Sequence, residues 1–438
     1  MRVSVLGGSE AGATSILVED NRGRAILVDF GLKVFEDDEI VPKKFPVELK
    51  NLVNRIEAVF ITHAHLDHVG ALPYLLKWGY SGPIYSTEPT RPLVKRVLLN
   101  SVKVLGENSA YSVKDVLETR KGMKALKFFE EINVGDFTVS FYSSEHIIGS
   151  AMVLIRGEKT ILITSDFKWE KSMLHYGVQS KIAGSLLYEE FERCDLMIME
   201  SSYGNREVVN FKDLLKILSN KINKTVKRKG KVLIVTGAIN KPGEIALMID
   251  KCKKEGLIPW NLEVYIDGLA AKLYDTLITF RKFTRVKNAR VLSKAVKKVD
   301  SITREKLVEE NEPCVIISSG EYLSGITSLF YFKKIAPSEK NAVIFATTNI
   351  PEGTLAYNVV RGERLLEMGG SKVEVKAEVS ILPLSLHSDK RGLLQFARLV
   401  KPKRILLIHG SRESKEALAK HLHAYNPIIS SENMRLKL

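Results

Sequence analysis

Residues 63–68 read His63-Ala-His65-Leu-Asp67-His68, which places three of the chain's nine histidines and a carboxylate within six positions. The run before them, Glu57-Ala-Val-Phe-Ile-Thr62, reads as a buried strand that stops where these side chains begin. The end of a strand can hold several short side chains rigidly around one point, as a two-metal site requires. His63 and His65 alternate along extended backbone and leave on the same side, while Asp67 and His68 follow at the turn and can serve a second ion. A charged loop with incidental histidines does not account for that clustering. A metal site is therefore the first expectation.

Four further apolar runs end in a residue of ligand type. Phe137-Thr-Val-Ser-Phe-Tyr142 leads into Ser144-Glu145-His146, and Ile161-Leu-Ile-Thr-Ser leads into Asp166. Arg404-Ile-Leu-Leu-Ile leads into His409, and Ala25-Ile-Leu-Val leads into Asp29. Taken singly, each is as readily a satisfied core polar group as a ligand. In this order after HxHxDH they resemble the motifs of the metallo-β-lactamase superfamily. The resemblance implies that His63, His65 and His146 hold one metal, that Asp67, His68 and His409 hold the other, and that Asp166 bridges the two. Asp29 would support the ligands without touching metal. A donor set of N and O with no cysteine suits two zinc ions per chain, and manganese or iron would also fit. Two cations roughly 3.5–4 Å apart can stabilise both the attacking and the leaving oxygen of a displacement, so the expected reaction is hydrolysis.

More than two hundred residues separate Asp166 from His409. That interval holds Met197-Ile-Met-Glu200-Ser-Ser-Tyr-Gly204, a long alternation of strands and helices, and Leu384-Ser-Leu-His387-Ser-Asp389. The pattern resembles the β-CASP nucleases over nearly the whole chain. Their motifs are an acidic residue before Ser-Ser-Tyr-Gly (Glu200), a histidine in a Ser-x-His-x-Asp setting (His387), and a final histidine (His409). The resemblance implies an α/β chain: a metallo-β-lactamase αββα sandwich with an α/β β-CASP domain inserted as a cap, and the active site in the cleft between them. It implies His387 as general acid for the leaving ribose oxygen, Glu200 as the group that holds this imidazole, and Asp67 as a further catalytic residue. Segments around Ser318-Ser319-Gly320 and Gly353-Thr354 are similar to parts of the family's inserted domain. Small residues there let backbone amides approach phosphates, so these five are the expected substrate contacts. Two segments depart from the family pattern. Glu10-Ala-Gly-Ala-Thr-Ser15 stands where Glu-Val-Gly-Arg-Ser is common. Gly237-Ala-Ile-Asn-Lys-Pro-Gly-Glu244 replaces Gly-Arg-x-Gln-Glu, with Lys241 or Glu244 as candidate substitutes.

The expected domains are 1–203 and 371–438 for the metallo-β-lactamase fold and 204–370 for the insertion. Alternation of strands 231–235 and 262–267 with helices 244–254 and 269–280 predicts a parallel sheet in the insertion. Strands 373–382 and 404–408 and a helix 414–424 are expected to return to the first domain, and no appended KH-type RNA-binding module is expected. A net charge of +15 favours a polyanionic partner. Eight basic residues and no acid between Arg281 and Lys298, with a second basic run at 224–231, predict a nucleic-acid track in the insertion. Three cysteines without CxxC spacing suggest a reducing compartment. No apolar run approaches the roughly 18 residues of a membrane span, and the N-terminus reads as a strand and turn rather than a signal peptide, so a cytoplasmic location is expected. These readings converge on a di-zinc ribonuclease acting on single-stranded RNA in processing or decay, by internal cleavage, 5′→3′ trimming or both, with a homodimer or a processing complex as the expected assemblies. A DNA-directed relative, a small-ester hydrolase and an RNA-binding processing subunit with little activity stay open. The insertion and basic charge count against the ester hydrolase, and the filled ligand positions count against the subunit.

Overall fold

The computed structural model describes residues 1–33, 47–182 and 190–438. Two compact units emerge: Met1–Lys171, His175–Glu207 and Leu386–Leu438 form one, and Ser172–Leu174 with Val208–Ser385 form the other.

The first unit is built on two seven-stranded sheets. One runs in the order Met434–Lys437, Arg2–Gly7, Ser15–Glu19, Ala25–Val28, Ile56–Ile61, Ile84–Ser86, Met123–Ala125. The other runs Pro427–Ile429, Ile405–Ile408, Leu196–Glu200, Thr160–Ile163, Ala151–Arg156, Phe137–Ser143, Glu131–Val134. Period-two alternation explains why they stack. Val3, Val18, Ile26 and Phe60 of the first sheet share a buried core with Phe141, Val153, Ile161 and Ile198 of the second. The intervening residues Tyr142, Met152, Leu162 and Met197 face the other way, into a core completed by Leu393, Phe396 and Val400 of the helix Lys390–Val400. The metallo-β-lactamase sandwich is thus present.

Strand direction decides where polar residues gather. Ala25–Val28 and Ile56–Ile61 are parallel neighbours, and so are Thr160–Ile163, Leu196–Glu200 and Ile405–Ile408. Parallel neighbours end on the same edge. Asp29 and Thr62 are therefore delivered to one edge of the first sheet and Asp166, Glu200 and His409 to one edge of the second, and the hydrogen bond from Ser165 Oγ to Thr62 Oγ1 joins the two edges in one rim.

The second unit carries a parallel sheet ordered Lys297–Lys298, Glu263–Asp267, Cys314–Ser319, Val232–Thr236, Ala342–Phe345, Glu378–Ile381. Its central strands are buried end to end, as expected for a parallel sheet covered on both faces. The expected strand 373–382 is broken. Ser371–Glu374 closes a hairpin with Leu365–Met368, while Glu378–Ile381 joins the sheet of this second unit rather than the first. The cause is local: Lys376 and Ala377 both donate their N–H to Ala336 O, at 2.8 and 2.9 Å, which bends the chain between the two strands. The expected helix 414–424 is shorter, Arg412–Ala419, and is capped by the Ser411 side chain. Among the described residues no helix is long and apolar enough to cross a membrane.

Candidate metal centre

The strand Ile56–Ile61 ends at Thr62, His63 and His65 follow on extended backbone, and Asp67 and His68 lie in the one-turn helix Leu66–Val69. Neighbouring backbone holds that turn. Thr14 N donates to Asp67 O at 2.8 Å and Phe30 N to His68 O at 2.8 Å. Gly31 is required here, because a Cβ would stand 1.6 Å from Asp67 O.

Hydrogen bonding settles which imidazole nitrogens point inward. His68 donates through Nδ1 to Asp29 Oδ2 at 2.7 Å, and His146 through Nδ1 to Leu386 O at 3.0 Å. Thr62 Oγ1 donates to Asp29 Oδ2 at 2.6 Å and so accepts from His63 Nδ1 at 3.1 Å. With Nδ1 protonated in all three rings, each Nε2 presents a lone pair. His63 Nε2 and His146 Nε2 both stand 3.1 Å from His65 Nδ1, and a proton on His65 could satisfy only one of them. Three nitrogens on one tetrahedral zinc, at Zn–N distances of about 2.0–2.1 Å, would be about 3.3 Å apart. The observed triangle fits that arrangement.

A second group lies beside it. His409 Nε2 is 3.1 Å and His68 Nε2 3.7 Å from Asp67 Oδ2. Asp166 Oδ2 reaches both groups, at 3.5 Å from His63 Nε2, 3.5 Å from His68 Nε2 and 3.7 Å from His146 Nε2. Among the described residues, buried His68 Nε2 has no hydrogen-bond partner. A lone pair buried against two carboxylates is repelled by them unless a cation or a proton stands between. The sets His63, His65, His146, Asp166 and Asp67, His68, His409 could each hold a metal ion, their ligand atoms lying within 4.8 Å of one another.

The two groups differ electrostatically. Burial holds His65 down to about 4 and keeps His63 and His146 well below the usual imidazole range, so all three are neutral donors at pH 7. Burial opposes charge on His68 and His409 as well, but Asp166 and Asp67 outweigh it, lifting His68 well above its usual value and His409 to about 9. A cation in the second group would take the place of those protons.

Glu200 is wholly buried and accepts from Phe167 N at 3.0 Å, from Ser202 N at 3.3 Å, and from His387 Nδ1 at 3.1 Å on both oxygens. Any proton exchange by this ring would therefore run through Nε2. Burial alone would lower the His387 pKa, but Glu200 and then Asp166 raise it. The ring centroid lies 4.6 Å from that of His146. Ser388 fixes this loop by accepting from Trp169 N at 2.8 Å and donating to Phe167 O at 2.9 Å, and Asp389 caps the next helix.

Several partners were not foreseen. Ser202 Oγ lies 3.3 Å from His387 Nδ1 and 3.1 Å from His409 Nδ1, linking the two rings. Ser165 Oγ donates to Thr62 Oγ1 at 2.7 Å, and Lys168 Nζ donates to His387 O at 2.9 Å. Asp29, Glu145, Ser165 and His409 all have left-handed backbone, with φ of 59°, 59°, 50° and 51°. Such strain concentrates at functional sites. Buried Lys415 donates to Ser9 O at 2.6 Å and Ser430 O at 3.2 Å, fastening the segment whose Gly8 O accepts from His409 N at 2.8 Å.

The expected substrate contacts belong to the second unit, where the structure gives them local work. Ser318 is buried, Ser319 Oγ accepts from Ala270 N at 3.1 Å, and Gly320 turns with φ 119° where a Cβ would meet Gly325 Cα at 2.7 Å. Gly353 has φ 82° and Thr354 caps the helix Leu355–Arg361. Lys241 pairs with Glu321, while buried Glu244 accepts from Ser172 Oγ, Met173 N and Leu174 N at 2.6, 2.9 and 3.0 Å. The basic run 281–298 is largely committed as well. Lys297 and Lys298 pair with Glu263 and Asp275, and Arg281, Arg285 and Lys287 donate to backbone carbonyls.

Comparison with known proteins agrees with this geometry. A family model described as "Metallo-beta-lactamase superfamily" matches residues 10–167, one described as "Beta-Casp domain" matches 243–359, and one described as "Zn-dependent metallo-hydrolase RNA specificity domain" matches 372–430. Among curated proteins, a "Transcription termination factor FttA" of Methanosarcina mazei is 30% identical over 97% of this chain and 69% of its own length. One from Pyrococcus horikoshii is 30% identical over 97% of this chain and 68% of its own. Among solved structures, a protein of unknown function from Enterococcus faecalis shares the fold, with a TM-score of 0.62 at 18% identity over 100% of this chain and 99% of that one.

Proposed function

This chain belongs to the metallo-β-lactamase superfamily and to its β-CASP branch, whose members are metal-dependent hydrolases, and from that premise we propose that it is a di-zinc ribonuclease. The observation that carries the reading is the convergence of seven ligand side chains on one rim, with the Glu200–His387 pair beside them. The match of residues 372–430 to an RNA-specificity domain supports RNA as the substrate. The name of the relatives supports a role at the ends of transcripts.

His63, His65, His146 and Asp166 would hold one ion, and Asp67, His68, His409 and Asp166 the other. Bound zinc supplies Lewis acidity and makes water acidic enough to attack at neutral pH. Asp67 keeps 23% of its side chain exposed, against 2% for Asp166, and is the carboxylate placed to orient the attacking water. His387, fixed by Glu200 through Nδ1, protonates the leaving ribose oxygen from Nε2. Asp29, Thr62 and Leu386 O hold the ligand rings in the tautomer that donates inward.

The test is cleavage of 5′- and 3′-labelled single-stranded RNA and DNA by metal-loaded wild type beside the His63→Ala/Asp67→Asn variant. RNA cleavage that vanishes in the variant is expected, and the label pattern separates internal cuts from 5′ trimming. A wild type that binds two metals and cleaves neither polymer would overturn the nuclease reading.

A further inference from the structure

We propose that the helices Thr90–Leu105 and Val113–Gly122 of the first unit form an RNA-binding face centred on Arg91 and Arg120, which engages phosphates of the strand outside the metal centre. The choice of RNA rests on the ribonuclease reading; the anion site itself rests on charge and burial.

The first helix carries Arg91, Lys95, Arg96 and Lys103 with no acid in its sixteen residues. The second ends in Arg120 and Lys121, with Lys124 just beyond. Over residues 90–127 there are nine basic residues and three acidic ones, so this stretch contributes +6 of the chain's +15. The sequence pointed to the 281–298 run instead, yet that run is mostly paired or bound to carbonyls. Among the described residues none of Arg91, Lys95, Lys103, Arg120, Lys121 and Lys124 makes an ion pair. Like charges left unneutralised on one face repel, so the face is costly unless an anion covers it.

Arg91 shows the demand most directly. Its Nε is buried and, among the described residues, has no hydrogen-bond acceptor. Burial, and then the charge of Arg91, disfavour the protonated form of Arg120, so the two guanidiniums lie near enough to feel each other. A buried donor without an acceptor is destabilising, and a guanidinium's planar fork matches the paired oxygens of a phosphodiester.

Position favours the nuclease substrate over an acidic protein. The first helix starts against the loop that carries His146: Thr90 Oγ1 donates to Gly149 O at 3.2 Å, and a Cβ on Gly149 would stand 3.0 Å from Pro89 Cβ. Arg91 and Lys95, four apart, share a helix face, and sixteen residues carry that helix about 24 Å from the loop. The face can therefore follow several phosphates outward from the metal rim.

The experiment measures equilibrium binding of a short and a long single-stranded RNA against salt concentration. It uses the full, metal-loaded chain carrying His387→Ala, so that every metal ligand stays in place and substrate persists. Two variants are compared in that background, Arg91→Gln/Arg120→Gln and the surface set Lys95→Gln/Lys121→Gln/Lys124→Gln, which keeps the test usable if half-buried Arg91 proves necessary for folding. Each lost phosphate contact should flatten the slope of log affinity against log salt by about 0.7, so slopes should fall by about 1.4 and about 2. Long RNA should weaken about tenfold or more at low salt while short RNA is little affected. Wild-type slopes in a folded surface set would overturn the proposal, and so would tighter binding of polyglutamate than of RNA, which would mark an acidic protein as the partner. Reduced slopes in a protein that never cleaves RNA would keep the face and remove only the nuclease reading.

Discussion

Asp29→Asn is the smallest change that tests how this centre is held. Asp29 is 1% exposed; Oδ1 accepts from Thr62 N at 2.8 Å, and Oδ2 accepts from Thr62 Oγ1 at 2.6 Å and from His68 Nδ1 at 2.7 Å. Asparagine has the same shape and tolerates the φ of 59° at this position. If its oxygen stays on Thr62 N, its NH2 faces His68 Nδ1, which must then accept, and the ring proton moves to Nε2. That is the atom aimed at Asp67 and Asp166, and once protonated it cannot ligate. If the amide flips instead, its NH2 opposes Thr62 N–H, and a buried donor is left unpaired at about 1–3 kcal/mol. Either outcome should weaken the ion held by His68 by about 10–100-fold, equivalent to about 1.4–2.8 kcal/mol. His63 feels Asp29 only through the Thr62 hydroxyl, so the other ion should change much less. Zinc titration against a chromophoric chelator resolves the two affinities. Two wild-type affinities in the folded variant would refute the tautomer argument.

Metal affinity should depend on pH differently at the two groups. Below about 9 an ion entering beside His409 must displace a proton, so its affinity should rise with pH through neutrality. The ion beside His65, a ring held down to about 4, should bind nearly independently of pH from 5 to 8; parallel pH profiles from chelator competition would contradict this. His387→Ala should keep both ions and lose about 10²–10⁴-fold in cleavage, checked by metal analysis beside single-turnover rates. Lys415→Met leaves Ser9 O and Ser430 O without their charged donor and should cost about 2–4 kcal/mol in denaturant titration. Because Gly8 O holds His409 N, the same variant should weaken the His409 ion selectively, and unchanged affinities would make Lys415 a purely structural strut.

The candidate ligands were legible because each follows an apolar strand, a local and periodic signal. That Asp166 and His409 meet also follows from parallel pairing, since the strands before them run the same way and end on one edge of their sheet, whereas His63 arrives from the other sheet. What orients them was hidden. The partner of His146 Nδ1 is the carbonyl of Leu386, an atom every residue possesses, and Ser202 joins His387 to His409 only because two loops far apart in sequence converge. No residue type announces a backbone acceptor. The break near Lys376 was equally hidden, since residues 373–382 alternate as well as any continuous strand, and only Ala336 O from a preceding helix end interrupts them.

Charge was the weakest guide, for a physical reason. A run of lysines and arginines records proximity along the chain, whereas neutralisation is tertiary. Glu263 lies on a neighbouring strand and reaches Lys297, Asp275 lies on the preceding helix and reaches Lys298, and carbonyls satisfy Arg281 and Lys287. The basic residues between Arg91 and Lys124 look diluted in sequence, with Glu107, Asp115 and Glu118 among them. Asp115 is engaged by Ser112 in a capping box, and among the described residues no ion pair reaches Arg91 or Arg120. A surface available to a polyanion is one whose charges have found no partner within the fold. By that criterion the helices beside the His146 loop are the stronger phosphate track, and most basic side chains of the 281–298 run are bonded within the fold.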